Sequence, residues 1–197
     1  MRSVDPNFLP YLAGFDLDHL DAHDNPAYGI WADGRLAFFN QAWFEFARRN
    51  GADAGFRAHW TLGANLYDAL PEVLREHYRK HYEAALASGE PWLHTYECSS
   101  PSIYRQFQQI SYPLPERAGL LIVNALRTSQ PHSAEPKTPD SHAYLNEHGL
   151  IQQCAYCRRV RRQAPGETWD WVPEWVSESP PNTSHGICPP CAGHHFA

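Results

Sequence analysis

Four of the five cysteines in this chain fall in its last quarter, as Cys154-x-x-Cys157 and Cys188-Pro-Pro-Cys191. A spacer of two residues lets both sulfurs of a pair turn toward one point. Two such pairs supply the four ligands of a tetrahedral thiolate site. The segment that carries them is too small to fold on apolar burial alone, and a bound metal is the usual remedy. The first expectation is structural zinc held by Cys154, Cys157, Cys188 and Cys191, a closed shell with no open position for catalysis. Iron, as a rubredoxin-like centre or an Fe–S cluster, is the alternative, because thiolate quartets also suit iron. A redox dithiol at Cys188 and Cys191 is a third reading, although the βαβ surroundings of thioredoxin-like exchange are missing. His185, three residues before Cys188, reads as a substitute ligand, as a hydrogen-bond donor to a sulfur, or as a loop histidine with no metal role. His194 and His195 read as tail residues.

Composition sets outer limits. A chain of 197 residues can hold one large domain or two small ones. The net charge of −6 argues against general binding to nucleic acid or to anionic membranes. No apolar run approaches the ~20 residues of a membrane-spanning helix. Phe8-Leu9-Pro10-Tyr11-Leu12 is too short, and Asp5 too early, for a secretory signal. The expected setting is therefore a reducing cytoplasm, where paired cysteines are more often metal ligands than disulfides. Aromatic residues make up 13% of the chain, so the core should be built on rings.

In chain order, Phe8, Leu12 and Phe15 follow helical spacing and predict a short amphipathic helix within residues 1–22, either a cap on its own domain or a dimer segment. Ala27–Trp31, Asp33-Gly34 and Arg35–Phe39 read as a β-hairpin. Asn40 is a candidate N-cap for a helix running through Trp43, Phe44 and Phe46 to Arg49, stopped at Asn50-Gly51. A less regular stretch, Ala52 to Gly63, follows. Pro71 opens a long helix that ends at Ser88-Gly89, with an apolar stripe of Leu74, Tyr78, Tyr82 and Ala85. Three strands are predicted after it: Trp92–Cys98, Tyr104–Tyr112 and Leu120–Ala125. The result is an α+β fold, a five-stranded antiparallel sheet with its helices inserted in the middle. Residues 129–143, rich in proline and small polar residues, read as a linker. A short strand, Gly149–Cys154, leads into the first cysteine pair. Trp169–Val176 supplies apolar side chains and a helix opened near Pro173.

The hairpin Tyr28–Asn40 running into Gln41-Ala42-Trp43, the helix ending Ala87-Ser88-Gly89-Glu90-Pro91, and the strands carrying Tyr112-Pro113-Leu114 and Gly119–Val123 together resemble a PAS domain, spanning residues 23–128. That resemblance implies a sensory or interaction fold with a small cavity between sheet and helices, and by itself it names no ligand. Residues 149–191 are similar to a module of PAS-containing bacterial signalling proteins, with Cys-x-x-Cys-Arg-Arg-Val at its start, tryptophans in the middle and Ser-His-Gly-Ile-Cys-Pro-x-Cys at its close. The tail, 144–197, is thus expected to be a four-cysteine zinc-binding module in a signalling context.

Periodicity makes Tyr28, Trp43, Phe44, Tyr78 and Tyr82 the candidate cavity walls for a small-molecule ligand. His77 and His81 share one helix face at i, i+4. In PAS domains that bind haem the axial histidine comes from the equivalent helix, so haem is a reading for this pair; half-exposed edge histidines are the alternative. Cys98 reads as a buried small hydrophobe. Arg158, Arg159, Arg161 and Arg162 form the one basic cluster, which reads as a solvated or internally paired face more than as a nucleic-acid site. Neither a nucleophile elbow nor a phosphate-cradling glycine loop is present, so no enzyme is expected. The expected function is that of a stand-alone sensor or interaction module, dimeric or bound to a protein partner. A redox- or iron-dependent regulator is the alternative, and a nucleic-acid-binding zinc protein stands behind both.

Overall fold

A computed structural model describes residues 2–50 and 60–196 of the chain. It is a mixed α+β structure in two compact units. The first comprises residues 1–70, 75–95 and 108–126; the second comprises 71–74, 96–107 and 127–197.

A six-stranded sheet is built from β1 (Ser3–Val4), β2 (Ala27–Trp31), β3 (Leu36–Phe39), β4 (Trp92–Glu97), β5 (Ile103–Pro113) and β6 (Gly119–Pro131), in the order β1-β3-β2-β6-β5-β4. The pairs β1·β3, β2·β3 and β2·β6 are antiparallel. Five strands were expected; the sixth is the two-residue β1, which pairs Ser3 with Phe39 and Val4 with Phe38. The hairpin forms where Asp33-Gly34 places it, with Gly34 at φ 88, a conformation that glycine adopts without strain. Gly119 answers a different demand. A Cβ there would collide with the carbonyl oxygen of Ile30 on the neighbouring strand, so β2 and β6 can approach this closely only with glycine.

The expected amphipathic N-terminal helix is replaced by a 3-10 turn, Leu9–Leu12, and a short helix α1 (Leu17–Ala22) capped by the Asp16 side chain, which accepts from His19 N. Pro10 and Gly14 prevent one continuous α-helix across this stretch. Its apolar residues are nevertheless used. Phe8 and Leu12 are buried in one core cluster with Ala27, Ala37, Phe38, Leu114 and Leu121, and Tyr11, Phe15, Leu17 and Leu20 pack on its edge. The segment therefore covers its own sheet.

Helix α2 (Gln41–Arg49) begins at Asn40, which is fully buried and fully bonded. Its Oδ1 accepts from Ala27 N at 2.9 Å and Trp43 N at 3.0 Å, and its Nδ2 donates to Leu20 O and Asn25 O, both at 2.9 Å. Gly51, and the irregular stretch from Ala52 as far as residue 59, lie outside the described residues. Helix α3 (Glu72–Ser88) follows Pro71 and stops at Gly89, which takes φ 76. The apolar stripe is buried as the 3.6-residue period requires: Leu74, Tyr78, Tyr82 and Ala85 are each less than 9% exposed.

A second, four-stranded sheet contains β7 (Ile151–Cys154), β8 (Val160–Arg161), β9 (Trp169–Asp170) and β10 (Thr183–Gly186), in the order β10-β7-β8-β9. Strand β10 runs parallel to β7, while β7·β8 and β8·β9 are antiparallel. Pro173 does open a helix, but only the single turn Glu174–Ser177, since Trp169 and Asp170 are taken up by β9. Tyr144, Ile151, Val160, Val172 and Trp175 form the apolar cluster of this unit. Strand β6 extends to Pro131, into the stretch read as a linker, and Lys137 N donates to Trp171 O at 2.8 Å within the second unit. Among the described residues, no helix is long and apolar enough to cross a membrane.

Candidate metal centre

Parallel pairing of β7 with β10 brings the cysteine pairs together. Cys154 closes β7 directly opposite Gly186, so the chain leaves both strands side by side and reaches Cys157 and Cys188 on the same flank. The first pair turns tightly: Arg158 N donates to Cys154 O at 3.1 Å, and Cys154 N donates to Arg159 O at 2.8 Å. Arg158 takes φ 62 to make this turn. The second pair opens helix α4 (Pro189–His195), with Cys188 as its N-cap residue and Cys191 on its first turn.

All four sulfurs lie within 4.8 Å of one another, and Cys157 Sγ is 3.6 Å from Cys188 Sγ. A disulfide needs about 2.05 Å between sulfurs, and all the cysteines are free. A metal bonded at about 2.3 Å to four tetrahedral sulfurs sets them about 3.8 Å apart. The quartet fits that requirement and could hold a metal ion. Cys154, Cys157 and Cys188 are at most 1% exposed, whereas Cys191 is half-buried.

The electrostatics of the bare thiols point the same way. Hydrogen bonds from Cys157, Cys188 and Cys191, joined by the Cys188 backbone N–H, draw the Cys154 thiol far below its ordinary range. Hydrogen bonding to Cys154 and Cys188, reinforced by burial, pushes Cys157 and Cys191 far up. The Cys188 thiol, raised by its bond to Cys154 but lowered by those from Cys157 and Cys191, comes out below its ordinary range. Four thiols this close therefore do not all ionise together unless a cation neutralises them, and a divalent ion would do so. Tyr156, between the two cysteines of the first pair, is buried: burial first, then the Cys191 and Cys154 charges, push its hydroxyl up. Its ring stacks on His195 at 3.7 Å. His185 stands exposed on β10 and is not part of the converging group.

The basic cluster is largely engaged inside its own unit. Arg162 Nε donates to Asp170 Oδ2 at 2.7 Å, Arg161 Nη1 donates to Gln152 Oε1 at 3.2 Å, and Arg159 Nη1 lies 4.0 Å from Glu97 Oε2. The internally paired reading of these arginines thus matches the geometry.

In the first unit, Tyr28, Tyr78 and Tyr82 are buried, while Trp43 and Phe44 are half-buried. Tyr28 and Trp43 rings lie 4.9 Å apart, and Phe44 packs on Phe39 at 5.5 Å. The Tyr28 and Tyr82 hydroxyls are 3.5 Å apart, and Gln109 Nε2 donates to both Tyr82 OH and Ser111 Oγ at 3.1 Å. Gln109 and Ser111 were not anticipated, although alternation along β5 places both on its inward face. An open groove of about 480 Å³ is lined by Leu86–Gly89 and Pro113–Arg117, none of them among the five expected cavity walls.

His77 and His81 do share a face, with ring centroids 4.5 Å apart, and they belong to a larger aromatic group. His81 stacks on Trp92 at 4.6 Å, Trp92 stacks on His94 at 4.9 Å, and His94 lies 5.6 Å from His77. Burial first, then His81 and Lys80, lowers the His77 pKa to about 4; burial and Lys80 also lower that of His81. Both rings are therefore neutral at pH 7. Among the described residues, the side chains that converge as metal ligands are the four cysteines and not these histidines. Cys98 is half-buried between β4 and β5, and burial raises its thiol, as suits an unreactive side chain.

No protein-family model matches the chain, and no curated protein sequence matches it. Among solved structures, a domain of an HTR-like protein from Haloarcula marismortui ATCC 43049 is similar at 15% identity and a TM-score of 0.36, covering 54% of this chain and 100% of that one. The phage VqmA–DPO complex is similar at 15% identity and a TM-score of 0.40, covering 64% of this chain and 54% of that one. Likeness at this level does not define a shared fold.

Proposed function

We propose that this chain is a sensory or protein-interaction module in which a PAS-like domain, residues 23–128, carries a four-cysteine zinc module, residues 144–197, through the connection 129–143. The observation that carries this reading is the sulfur quartet, whose mutual spacing within 4.8 Å matches a closed thiolate shell. A metal there would supply folding free energy to a segment of short strands, and all four ligand positions would be filled by protein. Zinc is the preferred ion, with iron as the competing occupant. The PAS-like part of the reading is supported by the element order, in which two strands, the helices and three further strands follow one another and the first pairs with the last. In this reading a ligand or a protein partner acts by favouring one of two conformations of the sheet and helices. The chain would perform no chemistry of its own. Its aromatic interior around Tyr28, Trp43, Tyr78 and Tyr82 is the proposed place for a ligand.

Metal analysis of purified full-length protein, together with its visible absorption spectrum, tests the reading. One zinc per chain and no visible band is the expected result. A brown or red protein would replace zinc by iron, or add haem, according to the position of the bands. Protein without any bound metal would remove the basis of the proposal.

A further inference from the structure

The four cysteines of the quartet are not equally placed against water. Cys154 is 0% exposed, and Cys157 and Cys188 are 1% exposed, while Cys191 is half-buried. The difference comes from the elements that carry them. Cys154 ends β7 inside the sheet, and Cys157 follows it across the turn in which Cys154 N donates to Arg159 O. Cys188 enters with its backbone N–H donating to Cys154 Sγ at 3.5 Å. Cys191 stands on the first turn of α4, where its neighbours Pro189, Pro190, Gly193 and His194 are all exposed. The quartet thus has three sheltered members and one that faces out.

Zinc has no redox chemistry of its own, so an oxidant that meets a zinc–thiolate quartet acts on sulfur. Which sulfur it takes follows exposure. We propose that Cys191 is an oxidation site, and that a peroxide reaching it makes the quartet release its metal. This rests on the reading that the quartet holds a metal. A Cys191 lone pair attacks one peroxide oxygen, the O–O bond breaks, and hydroxide leaves with the bonding pair, so Cys191 becomes a sulfenic acid. The Cys188 thiolate then attacks that sulfur, the S–O bond breaks, and a second hydroxide leaves as the Cys188–Cys191 disulfide forms. The two sulfurs supply two electrons, and one peroxide is reduced to two hydroxides. Cys188 is the resolving sulfur because it lies within 4.8 Å and sits at the N-cap of the same helix, so the bond closes inside one turn of chain. Cys157 is only 3.6 Å from Cys188, but neither of those two faces water to take the first oxygen. The disulfide removes two of the four ligands, and Cys154 and Cys157 alone no longer close the shell. Loss of the metal then removes its contribution to the fold of the module.

The test uses the full chain loaded with zinc and treated with hydrogen peroxide. Zinc release is followed with a chromogenic indicator, and the modified cysteines are mapped by peptide mass spectrometry. Wild type should lose its zinc in step with formation of the Cys188–Cys191 disulfide, and dimedone present during the reaction should tag Cys191 first. A thiol reductant with fresh zinc should restore the metal content. Cys191→His keeps a ligand at that position, since three cysteines and one histidine also hold zinc, and it should retain its zinc under the same treatment. Cys157→His should release zinc as wild type does, because Cys188 and Cys191 are untouched. Wild type that keeps its zinc in peroxide overturns the proposal, as does dimedone appearing first on another cysteine or a Cys191→His variant that releases zinc as fast as wild type. Should Cys191→His fail to take up zinc, the wild-type map decides instead, and a first disulfide between any other pair overturns it. Wild type that takes up no metal before peroxide is added overturns both this proposal and the reading beneath it.

Discussion

The core around Phe38 and the cluster around Ile151 are both buried, but they are supported in different ways. Phe38 sits in a sheet whose strands β2, β3 and β6 are four to thirteen residues long, and the N-terminal segment seals it with Phe8 and Leu12. Ile151 and Val160 lie in a sheet where β8 and β9 have two residues each. Strands that short bring few backbone hydrogen bonds and few cross-strand contacts. Among the described residues, the buried cluster there has five members, with Ala143 and Leu145 packed against it. In the proposed reading the first unit is held by apolar burial, and the second is helped by a metal at the sulfur quartet, which could hold one.

The largest test of this contrast is to remove the ligand set. Cys154→Ser, or stripping the metal with a chelator, should unfold the cysteine module, because structural zinc supplies about 10–16 kcal/mol of apparent binding free energy in small zinc domains. The Phe38 core should keep its cooperative thermal melt. Equal loss of both in melts followed by backbone amide resonances would show that the two cores are not independent.

The converse test empties the apolar core. Phe38→Ala should cost about 3–5 kcal/mol, since Phe38 is 0% exposed and lies in one buried cluster with Phe8, Leu12, Ala27, Ala37, Leu114 and Leu121. Chemical denaturation should show this loss with metal content unchanged. Asn40→Ala should follow at about 2–3 kcal/mol, combining a lost N-cap with the unpaired buried N–H of Ala27 and the carbonyls of Leu20 and Asn25.

Acid sharpens the comparison from another side. The His77 pKa in the folded chain, about 4, lies below its ordinary 6.5. The unfolded chain therefore takes up the proton first, and the stability held above pH 6.5 is lost as pH falls from there toward 4. Because the ring is partly solvated, the loss should be about 1 kcal/mol, well below what an unscreened shift would give. Denaturation midpoints of wild type and His77→Gln, taken at pH 7 and pH 4.5, should converge on acidification. Parallel curves would mean that His77 titrates alike in both states.

What could be read from sequence follows how local each signal is. The stripe Leu74, Tyr78, Tyr82 and Ala85 is legible because one helix period and its proline and glycine ends fix it. Asp33-Gly34 and the two Cys-x-x-Cys pairs are legible for the same reason: each is complete within a few residues. His94 and Trp92 beside His77, and Glu97 beside Arg159, are not, because partners on separate elements meet only once the strands have chosen their neighbours. The parallel pairing of β10 with β7 is the clearest case, since nothing local specifies which strand Thr183–Gly186 will join. In the N-terminal segment Phe8, Leu12 and Phe15 keep helical spacing, but with Pro10 and Gly14 between them the helical part is split into a 3-10 turn, Leu9–Leu12, and the short helix Leu17–Ala22.

The smallest expected effect tests whether the knuckle stores strain. Arg158 is neither glycine nor asparagine, yet it takes φ 62 at the turn where Cys154 N reaches Arg159 O. The left-handed conformation costs a residue with a Cβ about 1 kcal/mol or more, and glycine almost nothing. Arg158→Gly should therefore stabilise the cysteine module by about 0.5–1 kcal/mol, the lower end reflecting the greater freedom of glycine in the unfolded chain. Arg158→Ala removes the same charge but keeps the Cβ, so it separates strain from electrostatics. If the gain is strain relief, glycine stabilises and alanine does not. If both stabilise alike, the cost at this position is the guanidinium beside its three neighbouring arginines, and the turn itself is unstrained. In either case the effect should appear in melts of the second unit alone, with the Phe38 core unmoved.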